Sequence, residues 1–345
     1  MAGRESSFFD AEFRLRKIDT IGDPLQRLDA VIDWETFRPT LTNAFAKDTP
    51  PKGPGGRPPF DYVLRFKVLI LQALYNLSDE AMEYQLNDRR TFQRFIGLDD
   101  KDAIPDAKTI WAWRETLAQR KKLNKLFKKF WDFLDKSKIT ANSGSIIDAS
   151  FVDKPRQRNT REENEQIKKG EVPDEWKKPG NEAKLRQKDI DARWTKKNDE
   201  THYGYKNHVK VDRKTKLIKK AVVTDASVHD SQALADLVDK TDAGTIIHAD
   251  SAYSGHEQLD EIRAKKAIPK VCEKGYRNKP LTKAQMKRNR SLSRKRVRVE
   301  HVFAHMTMSM GGMVVRCVGI IRAEANIILK NLAYNMKRYC VLAGA

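Results

Sequence analysis

The chain has 345 residues, 39% hydrophobic and 33% charged, with a formal net charge of +20 and a sequence pI near 9.7. No apolar run approaches the ~18 residues of a spanning helix. Cys272, Cys317 and Cys340 are isolated, with no C-x-x-C pair, which argues against a disulfide framework or a zinc site. The excess of Lys and Arg favours a polyanionic partner, because phosphate contacts release condensed counterions. Residues Met1–Asp10 carry no signal-peptide h-region, so a cytoplasmic location is expected and no membrane partner.

Residues 1–56 are weakly patterned and run into Pro50–Pro51–Lys52–Gly53–Pro54–Gly55–Gly56–Arg57–Pro58–Pro59, which suits neither helix nor central strand. The expectation is a tether. From Val63 the apolar residues Phe66, Ile70, Ala73, Leu74 and Leu77 recur at helical spacing. Ser78–Asp79–Glu80 reads as a fresh cap with an acidic first turn, opening a second helix to about Asn87. A short third helix spans Thr91–Ile96 and stops at Gly97. Pro105–Asp106 opens a fourth, Ala107–Ala118, carrying Trp111, Trp113 and Arg114 ahead of the basic run Arg120–Lys121–Lys122. Residues 57–140 are therefore expected to form an all-α N-terminal domain. It suits a helix-turn-helix DNA-binding unit, although a plain bundle with a solvated basic edge fits the same pattern.

At Ser143 the pattern turns to β. Ile146, Asp148, Ser150 and Val152 alternate with Ile147, Ala149 and Phe151, which places Asp148 in a strand otherwise suited to burial. Such a carboxylate costs free energy unless it is paired, hydrogen-bonded or metal-bound. Residues 154–200 hold 14 Lys or Arg and 11 Asp or Glu without periodicity, and read as a charged, partly ordered insertion. Strands are expected at Tyr205–Val211, Lys216–Thr224, Thr245–Ala249 and Ala267–Val271, with a helix near Ser231–Asp239. Helices are expected over Met286–Met310 and Ala323–Val341. The strand Thr245–Ala249 delivers Asp250 at its carboxyl end, the edge where open α/β sheets place their chemistry. An Asp there is also an ordinary helix cap.

Three antiparallel strands followed by a parallel crossover give a mixed sheet in which Asp148 and Asp250 can face one another. Their repulsion calls for a cation, and Mg²⁺ takes carboxylate, water and phosphate oxygens. A pair of such ions serves in-line phosphoryl transfer. Glu300 lies further on, at the edge of the apolar stripe Val299, Val302, Phe303, Met306 and Met310. Upstream, Arg263–Val299 holds 15 Lys or Arg against one acid, Glu273. A single-sign block beside a carboxylate suits DNA; a plain i,i+4 ion pair between Arg296 and Glu300 is the simpler alternative. His248 and His301 flank the acids, in roles better suited to packing or orientation than to direct metal binding. Trp111 and Trp113 suit core packing, whereas Trp194, among polar neighbours, also suits stacking on an unpaired base.

The motifs His248-x-Asp250-x-x-Tyr253, Arg296-Val-Arg-Val-Glu300-His-x-Phe303 and Ile146-Ile-Asp148-Ala-Ser resemble the DDE transposases of bacterial insertion sequences, specifically the family named for insertion sequence five. The resemblance extends through Gly56-Arg-Pro-Pro-Phe60, Leu77-Ser-Asp, Phe92-x-x-Phe95-x-Gly97-Leu and Pro105-Asp106. It continues in Asp191-Ala-Arg-Trp194, Tyr203-Gly-Tyr205-Lys206 and Val228-His-Asp230. It implies an α/β fold: a ribonuclease H-like mixed-sheet catalytic domain over 141–345, with Asp148, Asp250 and Glu300 as catalytic acids holding Mg²⁺, or Mn²⁺ as a substitute. The implied activity is cleavage at transposon terminal inverted repeats and transfer of the freed 3′-OH into target double-stranded DNA. The implied assembly is a homodimer in the synaptic complex, associated with the bacterial nucleoid. Expected DNA contacts are Arg294, Lys295, Arg296, Arg298, Tyr253, Lys206, Trp194 and Arg114. Relatives often carry a Lys seven positions after the Glu and a Tyr three before the Arg; here these are Thr307 and Ser293. A stand-alone nuclease of the same fold, or a non-catalytic DNA-binding regulator, are the alternatives. Strand joining separates the first, and metal-dependent cleavage the second.

Overall fold

The computed structural model describes residues 10–46, 58–99, 101–140, 143–197 and 199–344. The chain divides into two compact units, Met1–Lys122 with Met336–Ala345, and Leu123–Asn335. The first is helical: α1 (Asp10–Ile21), α2 (Pro24–Val31), α3 (Arg38–Phe45), α4 (Tyr62–Tyr75), α5 (Asp79–Asp88), α6 (Arg90–Ile96) and α7 (Ala107–Gln119). Four of these starts are set by capping side chains. Asp23, Asp61, Ser78 and Asp106 each accept backbone N–H groups that the first helical turn leaves unpaired. Gly97, at φ +78°, closes α6 in the left-handed conformation.

The expectation of a tether over residues 1–56 is corrected for residues 10–45, which are mostly helical. Trp34, Phe37 and Leu41 are buried there. Phe37 packs its ring 5.0 Å from Phe66 of α4, and Trp34 packs 5.6 Å from Phe95 of α6. Two of the three helices have only eight residues, too short for periodicity to reveal, and they owe their order to this aromatic core. The Pro- and Gly-rich stretch from 47 to 57, including the Gly56–Arg57 end of its motif, lies outside the described residues.

The second unit opens with α8 (Leu123–Lys136), an amphipathic helix that buries Leu126, Phe127, Phe130 and Leu134. Next come β1 (Ser145–Asp153), α9 (Arg161–Lys168), α10 (Asp174–Lys177), α11 (Glu182–Gln187), β2 (Arg193–Lys197), β3 (Glu200–Asp212) and β4 (Ile218–Asp225). Then follow α12 (Leu234–Leu237), β5 (Ile246–Ala249), α13 (His256–Ala264), β6 (Ile268–Val271), α14 (Lys283–Arg296), α15 (Glu300–Ser309) and α16 (Ile320–Leu342), whose residues from Met336 on belong to the first unit. The sheet is mixed, in the order β2-β3-β1-β5-β6 with β4 also paired to β3. β1 runs antiparallel to β3 and parallel to β5. One apolar cluster gathers Ile147, Leu234, Ile247, Tyr253 and Ile262, and another gathers Val152, Tyr205, Val315, Ala323 and Ile327.

The charged insertion over 154–200 is more ordered than its composition predicts. Trp176 is 1% exposed and donates its indole N–H to Glu163 at 2.6 Å. Asp189, fully buried, accepts from the Tyr205 hydroxyl at 2.7 Å and from the Gly319 backbone N–H at 3.1 Å, and pairs with Lys154 at 3.3 Å. Asp191 accepts from Ile320 N at 2.8 Å, so two insertion carboxylates satisfy the first turn of α16. A few buried anchors replace the periodicity that the segment lacks. Gly204 kinks β3 at φ +146°, where a Cβ would run into the Val152 carbonyl oxygen.

Candidate active site

Asp148 and Asp250 are brought together by strand register. β1 and β5 pair in parallel with Ser145 opposite Ile247 and Ile146 opposite His248. Two residues beyond that pairing come Asp148, within β1, and Asp250, just past β5, near enough for the Asp250 charge to act on Asp148. Asp250 is the first residue past that strand and accepts the Ala252 N–H at 2.9 Å, capping the 3₁₀ turn Ser251–Tyr253. The cap reading and the site reading thus both hold. Asp148 accepts the Ala149 N–H at 2.9 Å and an Arg296 N–H at 2.5 Å.

The helix expected across Met286–Met310 is two helices, α14 and α15, joined by a 3₁₀ turn at Val297–Val299. Two β-branched residues on a tightened turn explain the break. Val299, Val302 and Met306 are buried as the stripe predicts. Arg296 ends α14 and Glu300 begins α15. The Arg296 guanidinium lies 2.5 Å from Asp148 and 3.4 Å from Glu300, bridging the two. Glu300 is 57% exposed and Asp148 16%. As they stand, among the described residues, no three His, Cys, Asp or Glu side chains converge tightly enough to hold a metal ion. The three acids expected from the sequence do not converge in this arrangement, and the Arg296 guanidinium pairs with two of them, Asp148 and Glu300.

The electrostatics still favour a cation. Burial pushes the Asp148 carboxyl up to about 6, Arg296 opposes that rise, and Asp250 adds to it. Two hard oxygen donors that repel one another fit a hard divalent ion. Burial pulls His248 down to about 4, with Arg213, Lys295 and Lys270 contributing, so at neutral pH it is an uncharged imidazole. Neither ring nitrogen has a hydrogen-bond partner in the structure. His301 is exposed.

Three of the residues expected to contact DNA offer little exposed surface. Tyr253 is 1% exposed within an apolar cluster, and burial together with Asp230, Asp148 and Asp250 lifts its phenol well above the usual range. Lys206 is 8% exposed, donating to the Val228 carbonyl at 2.7 Å and to Asp230 at 2.8 Å. Arg114 makes a two-pronged pair with Asp79 at 2.6 and 2.7 Å and also donates to Gln72. Lys206 is buried and Arg114 half-buried, each with a partner distant in sequence, and Tyr253 fills the core, which a count of charges does not reveal. Arg294, Lys295 and Arg298 are exposed, Arg298 donating to the Arg213 carbonyl at 3.2 Å. Trp113 is core, Trp111 is 47% exposed and Trp194 38%. Trp194 leans on Tyr203 at 4.7 Å, with the Arg156 guanidinium 5.7 Å above its ring. Lys197 went unnoticed in the sequence. Its charge acts on Asp148, its ammonium lies 3.9 Å from Asp230 and it sits 5.7 Å above the Phe151 ring. Only its place on the hairpin brings it there, so no local signal existed.

A carboxylate within β1 and another just past β5, beside a basic helix, make a site suited to chemistry on a phosphodiester. Residues 140–336 match the family model described as Transposase DDE domain, and residues 13–116 match the one described as Transposase domain (DUF772). The first match spans more than half of the chain, and the chain belongs to the DDE-domain transposases. It is thus a DNA transposase, of the enzyme class that cleaves and joins DNA by phosphoryl transfer and generally depends on a divalent metal. Among solved structures, the chain is similar to the piggyBac transposase in a cryo-EM synaptic complex with hairpin DNA. The match has 12% identity over 95% of this chain and 76% of that one, with a TM-score of 0.45. No helix among the described residues is long and apolar enough to cross a membrane.

Proposed function

We propose that the mixed sheet is a ribonuclease H-like core of the branch named for insertion sequence five, and that Asp148, Asp250 and Glu300 are its metal-holding acids. The observation that carries this reading is the parallel pairing of β1 with β5 two residues before Asp148 and Asp250, with the Asp250 charge acting on Asp148. Mg²⁺, with Mn²⁺ as a substitute, suits the all-oxygen donor set. What a bound divalent ion supplies there is activation of the attacking water or 3′-OH and relief of charge on the leaving oxygen. Asp148 and Asp250 orient it from the sheet, and Glu300 approaches from the first turn of α15. The exposed Arg294, Lys295 and Arg298 hold backbone phosphates beside the acids, fixing the scissile bond without reading sequence. The helical residues 57–122 carry recognition of the terminal inverted repeats. Two ends are paired by a homodimer, and the enzyme works in the bacterial cytoplasm on nucleoid DNA.

The test is end-bearing DNA incubated with the full chain and Mg²⁺, read on a gel. The wild type should nick the ends and join them to target DNA, and Asp148→Ala, Asp250→Ala or Glu300→Ala should each abolish cleavage while end binding survives. Any of the three variants cleaving near the parent rate would remove that residue from the site. Cleavage without joining would make the chain a nuclease.

A further inference from the structure

The Arg296 guanidinium is more than a neighbour of the acids. One of its nitrogens lies 2.5 Å from Asp148 and another 3.4 Å from Glu300, two carboxylates contributed by elements 148 and 4 residues away in sequence. It thereby stands where a cation bridging β1 and α15 would stand. Its side chain is 22% exposed and leaves α14 between the exposed Lys295 and the turn that carries the exposed Arg298, so the same group opens toward the basic surface. Asp250, by contrast, accepts from the Ala252 backbone N–H at 2.9 Å.

We propose that Arg296 is a positioning residue that acts as an internal counter-cation: it holds Asp148 and Glu300 together, and it must swing off them before a divalent ion can use both. This rests on the reading of Asp148, Asp250 and Glu300 as metal-holding acids. The geometry gives the swing a destination. A guanidinium released from two carboxylates at the edge of a basic block is well shaped for a backbone phosphate, to which it can donate two parallel N–H groups. Metal loading and phosphate contact then favour the same rearrangement, and a protein without DNA holds Asp148 and Glu300 in a closed form bridged by one guanidinium. Competition between a side-chain cation and a metal for one ligand set is a difference in affinity, so it is measurable without any reaction.

The experiment is Mn²⁺ binding to the full chain in the absence of DNA, by calorimetry and by the Mn²⁺ electron paramagnetic resonance signal. Arg296→Gln removes the competing charge while keeping a hydrogen-bonding amide. Its Mn²⁺ affinity should exceed the wild type by at least about tenfold, because a unit charge within about 4 Å at an effective dielectric near 20 biases an equilibrium by more than that. Arg296→Lys, which keeps the charge, should bind Mn²⁺ about as weakly as the wild type. A merely structural role would lower affinity in both variants. Circular dichroism confirms that each is folded. Adding Asp148→Asn to Arg296→Gln should erase the gain, which assigns the ion to these acids. Unchanged or weaker Mn²⁺ binding in folded Arg296→Gln overturns the counter-cation role while leaving the acid site standing. A gain that survives Asp148→Asn overturns both, since the ion is then held elsewhere.

Discussion

Replacing Asp148 by Asn should stabilise the protein, and the gain should depend on pH in a defined direction. Asn keeps the shape of the protonated acid and removes the charge. The folded chain raises this carboxyl from its usual 3.8 to about 6, with burial the largest cause. A carboxyl raised on folding binds its proton more tightly in the native state, so ionisation opposes folding. The cost is absent below about pH 4, grows between about 4 and 6, and is complete above about 6. At about 1.36 kcal/mol per unit, the full cost is about 3 kcal/mol. The side chain is only 16% exposed, so solvent screening removes little of this. Urea unfolding of the wild type and Asp148→Asn, followed by circular dichroism in EDTA from pH 4 to pH 8, reads the difference directly. The curves should coincide near pH 4 and separate by about 2–3 kcal/mol by pH 7 to 8. A variant less stable than the wild type at pH 8, or a gap that does not change with pH, would refute the claim that the site stores unrelieved charge. Activity should be lost in the same variant, the trade expected where a site is built against stability.

Further outcomes follow from the same contacts. Arg114→Ala leaves the half-buried Asp79 without its two-pronged partner, and should cost the helical unit about 3 kcal/mol in denaturant unfolding; an exposed DNA contact would cost almost nothing. Removing Arg294, Lys295 and Arg298 together should lower affinity for any duplex and flatten the logarithmic salt slope by about two to three; an unchanged slope in a folded protein would show that this block does not face DNA. Trp194→Ala should weaken binding of a single-stranded oligonucleotide by about 5- to 150-fold, and more than it weakens the matching duplex, with Trp194→Phe restoring much of the loss. An equal effect on both forms would make Trp194 a packing residue.

What the sequence revealed about the site lay in its local grammar. Asp148 was legible as a carboxylate inside an apolar alternation, and Asp250 as an acid just past a β-rich run. A parallel connection between those runs was enough to suggest that they meet. The i,i+4 spacing of Arg296 and Glu300 was equally plain, but the bond from Arg296 back to Asp148 spans 148 positions and has no local trace. Cations were misjudged for a related reason. Lys206 and Arg114 look like surface charge because their partners, Asp230 and Asp79, sit 24 and 35 positions away. Tyr253 belonged to a motif, and its burial follows from the apolar cluster around Ile247 and Ile262 rather than from the motif. The order of residues 154–200 rests on Trp176, Glu163 and Asp189, three residues in a polar stretch that no period connects.

The bonds from Asp189 and Asp191 to the start of α16 span 130 and 129 positions. Such long-range closures come late when a chain is made from its amino end, after most of the sheet has been synthesised. Until Gly319 and Ile320 leave the ribosome, Asp191 lacks its Ile320 N–H donor, and Asp189 is held only by Tyr205, Lys154 and the N–H groups of Asp191 and Ala192. A gene copy interrupted between the codons of Glu300 and Gly319 would still encode every acid of the candidate site, yet its product would lack the segment that closes the insertion down. Decay of such a gene from its 3′ end therefore removes the donors that hold Asp191 and part of Asp189 before any codon of the candidate acids is lost.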